Sequence, residues 1–171
     1  GDQIYADDVH AGVLAGAALL GRSLLGFDES IPGIATKTAE RAAGTRDIVR
    51  TFGFTVEPGD SKNHLLGFGE YAAVYILFWN PDIWNWDRFR NVPAFRGLAG
   101  RFASTAIRRV LANIACYMPF DDPELTDDWF LNATSMRDPN DPTARLIMAN
   151  GLEAFWVFQA SGTPLGWRDA P

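Results

Sequence analysis

The segment Ala115-Cys116-Tyr117-Met118-Pro119-Phe120 is followed at once by Asp121-Asp122-Pro123-Glu124-Leu125-Thr126-Asp127-Asp128-Trp129. An apolar run that ends abruptly in a cluster of five acids is typical of a buried strand that delivers ligands at its C-terminal end. Open α/β sheets place their sites at that edge. We therefore predict a strand over Ile114 to Phe120 and a ligand-bearing turn directly after it.

Composition limits the class of protein that this chain can form. It has 171 residues, of which 47% are hydrophobic and 13% aromatic, enough for one domain with a sizeable core. The formal net charge of −6 argues against nucleic-acid binding, which needs clustered Lys and Arg, and is compatible with cation binding. The single cysteine, Cys116, excludes an internal disulfide, and its apolar neighbours predict a small buried side chain. No membrane span is visible, since the longest small-apolar run, Ala11 to Leu20, is too short.

Hydrophobic spacing predicts that helices dominate the rest of the chain. The strongest stripe runs from Phe68 to Trp79, where the opposite face is apolar as well, so we predict a helix that is buried nearly all round and ends at Asn80-Pro81. Thr126 is the predicted N-cap of a helix whose first turn holds Asp127 and Asp128. Further helices are predicted over 9–24, over 38–52 (polar and exposed, ending near Gly53), over 94–113, and over about 143–160 with Ile147, Met148, Leu152, Phe155 and Trp156 inward.

A second acidic turn opens the chain, in Gly1-Asp2-Gln3-Ile4-Tyr5. A turn after a strand can direct the side chains of Asp2 and Tyr5 at one ion, and Asp121 or Asp122 could reach the same ion from a neighbouring strand end. Carboxylate and phenolate oxygens are hard ligands that suit Fe3+, Mn2+, Ca2+ or Mg2+. On spacing alone, however, an ordinary turn explains a Gly-Asp pair more often than a metal site does.

Four blocks of the sequence resemble, in the same order, segments of the PhoD-like (alkaline phosphatase D-like) metallophosphatases of the calcineurin-like phosphoesterase superfamily. The blocks are Gly1-Asp2-Gln3-Ile4-Tyr5-Ala6-Asp7-Asp8, His64-Leu65-Leu66-Gly67-Phe68-Gly69-Glu70-Tyr71-Ala72-Ala73-Val74-Tyr75, Tyr117-Met118-Pro119-Phe120-Asp121-Asp122-Pro123-Glu124-Leu125-Thr126-Asp127-Asp128-Trp129 and Asn150-Gly151-Leu152-Glu153-Ala154-Phe155-Trp156-Val157-Phe158-Gln159. Together they extend the resemblance over most of the chain.

The resemblance implies a site for phosphoester hydrolysis at a pair of metal ions, Fe3+ with Ca2+, Mn2+ or a similar ion. Asp2 occupies the position of the family's metal-bridging carboxylate, Tyr5 that of a tyrosinate ligand to the trivalent metal, and Asp122 that of a ligand to the second metal. Two metals polarise the phosphoryl group and lower the pKa of a bridging water. The parent fold implied is α/β, a central β-sandwich flanked by helices, of which this piece should be mainly α with one to three short strands.

The chain departs from the family at Pro123. The family has a histidine at this position, which would donate a hydrogen bond to the phosphate or protonate the leaving group. Proline has no side-chain donor and no N–H, so nothing at position 123 replaces that histidine. A proline also favours extended backbone at the residue before it, here Asp122, and so alters the turn that directs this ligand.

Histidine is scarce in the whole chain. A binuclear site takes roughly six or more protein ligands, several of them His. This chain has only His10, expected at the surface, and His64, expected at a helix start. We therefore expect residues 1–171 to be a single partial metallophosphatase domain, without the first acidic motif and the downstream histidine motifs, inactive alone and poorly soluble. The alternatives are a non-catalytic pseudoenzyme or binding module that lost its histidine, and a plain helical domain with chance acids.

Overall fold

Helices account for most of the backbone that the structure describes. The computed structural model describes residues 3–37, 41–54, 60–85, 105–127 and 140–161. Its α-helices are α1 (Ala11–Leu25), α2 (Phe68–Trp79), α3 (Thr105–Leu111) and α4 (Pro142–Phe155), and a π-helical turn, Trp156–Ala160, continues α4. Short 3-10 helices lie at Asp47–Phe52, Asp60–Asn63, Ile83–Asn85 and Asp122–Glu124. The expectation of a mainly α piece is confirmed. Within the described ranges the sole β pairing is a bridge between Ile31 and Ile34, so the predicted short strands are not found there.

Helix α1 is fixed at both ends by local chemistry. Its N-cap, His10, accepts a hydrogen bond from the Gly12 N–H through Nδ1 (3.1 Å), and Gly26 closes the helix in the left-handed conformation at φ 78°. The helix packs along α2, where a Cβ added at Gly21 would collide with the backbone of Gly69. The two backbones therefore touch at this crossing, and only a glycine at position 21 permits the contact.

Helix α2 lies at the centre of the core, as its apolar sequence predicts. Residues on all of its faces are buried, and Phe78, near its C-terminal end, is the exposed exception. The helix ends at Asn80, before Pro81, where the sequence places its end. Its length and position are thus set by local sequence signals, and its burial follows from having no polar face to present to water.

The predicted exposed helix over 38–52 is wrong. Among the described residues of this segment, 41–52, Arg41 is 3-10 helical and residues 42–46 are not, and a 3-10 helix, Asp47–Phe52, ends near Gly53 as predicted. Arg46 is buried and donates hydrogen bonds to the carbonyl oxygens of Arg41 (2.8 Å) and His64 (2.7 Å). The backbone just before the 3-10 helix is therefore held by hydrogen bonds from a buried arginine side chain, one of them to His64, 18 positions away.

The predicted buried strand over Ile114 to Phe120 is also wrong. Residues 115–121 run without strand hydrogen bonds, and Tyr117 is 76% exposed. Cys116 is exposed as well, contrary to the expectation of burial. A strand is stable only when a neighbour supplies ladder partners, and no strand in the described part of the chain lies beside this segment.

Helix α4 confirms the last helix that the sequence predicts. Asp141 caps it by accepting two backbone N–H bonds of the first turn (2.8 and 3.0 Å), and Ile147 is buried as predicted. Leu152 and Trp156, predicted to point inward, are exposed instead. The reason is that the small residue Gly151 forms the face in contact with α2, which turns its larger neighbours toward solvent.

Of the predicted 94–113 helix, residues 105–113 are described, and α3 covers them as far as Leu111, while residues 86–104 lie outside the described ranges. The predicted helix after Thr126 also falls largely outside the described residues, which stop at Asp127 and resume at Asn140. None of the helices described has the length and hydropathy needed to cross a membrane.

Candidate functional site

A single buried carboxylate joins the two acidic segments that the sequence singles out. Glu124, 1% exposed, accepts hydrogen bonds from the Gln3 N–H through Oε1 (2.6 Å) and from the Asp121 N–H through Oε2 (2.6 Å). The N–H of Ala6 also donates to the carbonyl oxygen of Pro123 (2.8 Å). The first described residues and the Asp122–Glu124 turn are thus bound side by side, although Gln3 and Glu124 are 121 positions apart in sequence.

The turn itself is shaped by its own backbone bonds. Asp121 is extended (φ −130°, ψ 163°), and the N–H groups of Leu125 and Thr126 both donate to the carbonyl oxygen of Asp122 at 2.8 Å. Asp122 is therefore the first residue of a 3-10 turn. The extended backbone predicted for Asp122 is wrong, and the extended residue is Asp121. Pro123 is tolerated because the first positions of a helical turn have no N–H partner to lose.

Two of the three predicted metal ligands lie on these adjoining segments. Tyr5 lies between Gln3 and Ala6 and is 52% exposed, and Asp122 is partly exposed at the start of its turn. Asp2 lies outside the described residues. Among the residues that are described, no three or more His, Cys, Asp or Glu side chains are grouped so as to hold a metal ion. A site formed by Asp2, Tyr5 and Asp122 stays a prediction.

The two histidines take structural positions, one as a helix cap and the other in the core. His10 is exposed, as expected, and caps α1, whereas His64, expected at a helix start, is fully buried ahead of the N-cap Gly67. The His64 ring stacks on Phe54, with 5.4 Å between centroids, and its Nδ1 lies 2.5 Å from the Leu65 carbonyl oxygen. Burial lowers the pKa of His64 from its ordinary value of 6.5 to about 4, against the opposing effect of the Leu65 carbonyl. His64 is therefore a neutral core residue at neutral pH.

The first, second and fourth of the resembling sequence blocks are joined by hydrogen bonds. The N–H of Leu65, in the second block, donates to the carbonyl oxygen of Ala6, in the first (2.7 Å). Asn150, in the fourth block, donates through Nδ2 to the carbonyl oxygen of Leu66 (2.9 Å). Both bonds engage backbone atoms just ahead of α2, so this short segment connects the start of the described chain to α4.

Close packing joins the third and fourth blocks. A Cβ added at Gly151 would collide with Leu125 of the third block and press on the Tyr71 ring of the second. Further along the same helices, Tyr75 stacks on Phe158 with 5.4 Å between ring centroids. The Glu124 bonds join the first block to the third. Together, these contacts form a ring in which the first block contacts the second and third, and the fourth block also contacts the second and third.

A cleft of about 230 Å³ opens beside Tyr5. It lies between the first described segment, α1, α2 and the short helix that holds Trp84, and its walls are almost entirely apolar. The residues that line it are Gln3, Ile4, Tyr5, Asp8, Val9, His10, Val13, Val74, Leu77, Phe78 and Trp84.

The sequence prediction missed the importance of Glu124. Part of the signal was present, because Asp121 and Glu124 have the spacing of a capping box, in which the second side chain returns to the N–H of the first residue. The bond to Gln3 has no local signal, since it depends on the approach of two distant segments. Asp127, predicted at a helix start, donates its N–H to the Phe54 carbonyl oxygen (2.8 Å), while Asp128 lies outside the described residues.

No protein-family model, no curated protein and no solved structure matches this chain.

Proposed function

We propose that this chain is part of a metal-dependent phosphoester hydrolase, a phosphomonoesterase or phosphodiesterase, in which Asp2, Tyr5 and Asp122 are metal ligands. The observation that carries the proposal is the pair of hydrogen bonds to Glu124, which keeps the segment of Tyr5 beside the turn of Asp122. The proposal extends the resemblance to PhoD-like metallophosphatases, whose parent fold is a helix-flanked β-sandwich. The ring of contacts among the four resembling blocks supports it, because blocks that build one site must also lie together in the fold.

The donor atoms fit hard cations. The phenol oxygen of Tyr5 and the carboxylates of Asp2 and Asp122 are the ligand types that Fe3+, Mn2+ and Ca2+ prefer. Tyr5 is half exposed and Asp122 partly exposed, so both are accessible while the backbone on either side is held by hydrogen bonds. A pair such as Fe3+ with Ca2+ or Mn2+ would polarise a phosphoryl group and lower the pKa of a water.

Pro123 limits what this chain contributes to the reaction. It has no side-chain donor, and its carbonyl oxygen accepts the Ala6 N–H, so position 123 holds no proton for a leaving group. A leaving group that departs as a stable anion needs no such proton. The expected substrates are therefore esters of acidic alcohols or phenols, and esters of ordinary alcohols should react far more slowly.

A non-catalytic relative is the second candidate, and Pro123 is also the observation that favours it. In that case the protein would bind the metals, and a phosphoester at them, without turnover. The two candidates share the ligands Asp2, Tyr5 and Asp122 and differ only in hydrolysis, so metal binding and catalysis have to be measured separately.

Metal uptake tests the ligands. The protein to titrate is the longer one of which this chain is proposed to be a part. Calorimetric titration with Mn2+ should show binding that weakens by about tenfold or more in Tyr5→Phe and in Asp122→Asn. Asp47→Asn removes an exposed acid outside both segments and should leave binding unchanged. A wild-type protein that takes up no metal would overturn both candidates.

Hydrolysis separates the enzyme from the non-catalytic relative. With metals added, the same protein should hydrolyse bis(4-nitrophenyl) phosphate. Pro123→His supplies a proton donor, so it should raise the rate roughly 10²–10⁴-fold for esters of ordinary alcohols and change it little for this activated ester. Metal uptake without turnover in either form would favour the non-catalytic relative. The 171-residue chain alone should be inactive, and turnover by it would contradict the expectation that further ligands are required.

A further inference from the structure

The lining of the cleft beside Tyr5 selects an uncharged group. Val13 of α1 and Val74 and Leu77 of α2 line it, and Phe78 and Trp84 add aromatic rings. The indole Nε1 of Trp84 donates to the Leu77 carbonyl oxygen (2.7 Å), so this polar atom is engaged by the protein itself. A hydroxylated or charged group placed against these walls would lose hydrogen bonds to water without replacing them.

The size of the cleft suits a ring with a short substituent. An apolar cavity of about 150 Å³ is enough to bind benzene, and this cleft measures about 230 Å³. The acid Asp8 also lines it, and a carboxylate there disfavours a second anion inside. An anionic phosphate is therefore expected outside the apolar part, at Tyr5, which lines the same cleft.

We propose that the cleft receives the apolar ester group, an aryl group, of a phosphoester whose phosphate lies at Tyr5. This inference rests on the proposed function and deepens it, since it names the substrate class. Sugar and nucleoside phosphates are disfavoured because their hydroxyl groups find few partners on these walls. An aromatic ring in the cleft gains burial together with contacts to Phe78 and Trp84.

Two kinds of probe separate the cleft from the metal site. Benzyl alcohol, which is neutral, reports on the cleft alone, and phenylphosphonate compared with methylphosphonate in the presence of Mn2+ reports on cleft and metal together. Val13→Phe fills the cleft, and Leu19→Phe adds the same ring at an exposed position of α1 outside it. Phe78→Ala removes a wall at an exposed position, which does not endanger folding.

The expected result is a preference that depends on the cleft. Wild type and Leu19→Phe should bind benzyl alcohol, and should bind phenylphosphonate about tenfold more tightly than methylphosphonate. Val13→Phe should lose benzyl alcohol binding and the preference for phenylphosphonate. Phe78→Ala should weaken both the binding and the preference. Benzyl alcohol binding is measured without metal by NMR chemical-shift titration, which also shows that each variant is folded. Phosphonate binding with Mn2+ is measured by calorimetric titration, because paramagnetic Mn2+ broadens NMR signals.

Two outcomes would overturn the inference, and they are distinguishable. Equal affinities for the phenyl and methyl compounds, with Mn2+ bound, would refute the apolar subsite and leave the metal site standing. Binding of benzyl alcohol with no Mn2+ uptake would show that the occupant is not a phosphoester, and would count against the proposed function itself.

Discussion

The guanidinium of Arg46 donates two hydrogen bonds to the carboxylate of Glu70 in the buried interior. The distances are 2.8 Å from Nη1 to Oε2 and 2.9 Å from Nη2 to Oε1, and the two side chains are 2% and 3% exposed. Burial alone would raise the pKa of Glu70, but Arg46 outweighs it and holds that pKa below its ordinary value. Glu70 also accepts from the Leu66 N–H (3.0 Å), so the pair anchors the segment ahead of α2.

Breaking this pair should destabilise the protein strongly. Arg46→Met leaves the carboxylate of Glu70 buried without its cation, and we expect a loss of about 3–5 kcal/mol in the free energy of unfolding. Urea denaturation followed by circular dichroism measures it. Arg50→Met removes an exposed arginine of the same segment and should change stability little. Equal losses of unfolding free energy in the two variants would show that the buried ion pair contributes no more to stability than the exposed arginine does.

Removing the Glu124 carboxylate should loosen the junction of the two acidic segments. Glu124→Ala leaves the N–H groups of Gln3 and Asp121 without acceptors, and we expect a loss of about 2–4 kcal/mol in the free energy of unfolding. Glu124→Gln keeps one acceptor oxygen and should lose less. Hydrogen exchange at Gln3 and Asp121 should accelerate in Glu124→Ala and stay unchanged in Glu153→Ala, where the acid is exposed. Slow exchange at both amides in Glu124→Ala would contradict the assigned bonds.

Adding one methyl group at the crossing of α1 and α2 should be costly. Gly21→Ala places a Cβ against the backbone of Gly69, which cannot rotate away as a side chain could. We expect a loss of about 1–3 kcal/mol from overpacking, against a gain of about 1 kcal/mol that alanine normally brings to a helix. Ala15→Ser, at an exposed position of α1, is the control in the same thermal unfolding assay. Stabilisation by Gly21→Ala would mean that the helices are not in contact there.

Stability should fall as the pH drops through mildly acidic values because of His64. Its pKa is about 4 in the folded protein, lower than its ordinary value of 6.5, so the unfolded chain takes up the proton first. The contribution of His64 to the free energy of unfolding is fully present above pH 6.5. It declines toward pH 4 by on the order of 1 kcal/mol per pH unit. Urea unfolding of the wild type, His64→Gln and His10→Gln checks this, and only His64→Gln should flatten the decline.

An NMR titration of the wild type gives the same test without a variant. The ring protons of His64 should not titrate near pH 6.5 in the folded protein, because burial favours the neutral ring. A ring that titrates at its ordinary pKa would refute the assigned environment.

Local signals predicted the elements that depend on near neighbours in the sequence. The periodicity of α2 and its stop at Asn80-Pro81 were correct, and so was the end of the 3-10 helix near Gly53. Helix α4 was predicted to within a residue at its start, because the turn-rich segment before Thr143 marks a helix boundary. The inward face of α4 was partly wrong, since which side is covered depends on where α2 lies.

The sequence by itself determined that this protein is mainly helical, where helix α2 ends and helix α4 begins, and that acids cluster in two turns. Only the tertiary structure decided that Glu124 binds both turns together, that Arg46 and His64 are buried, and that residues 115–121 pair with no strand in the described part of the chain. The physical reason is the range of the interactions. Helix spacing and caps act within a few residues, whereas burial, ion pairing and strand pairing depend on groups that the fold brings together from far along the chain.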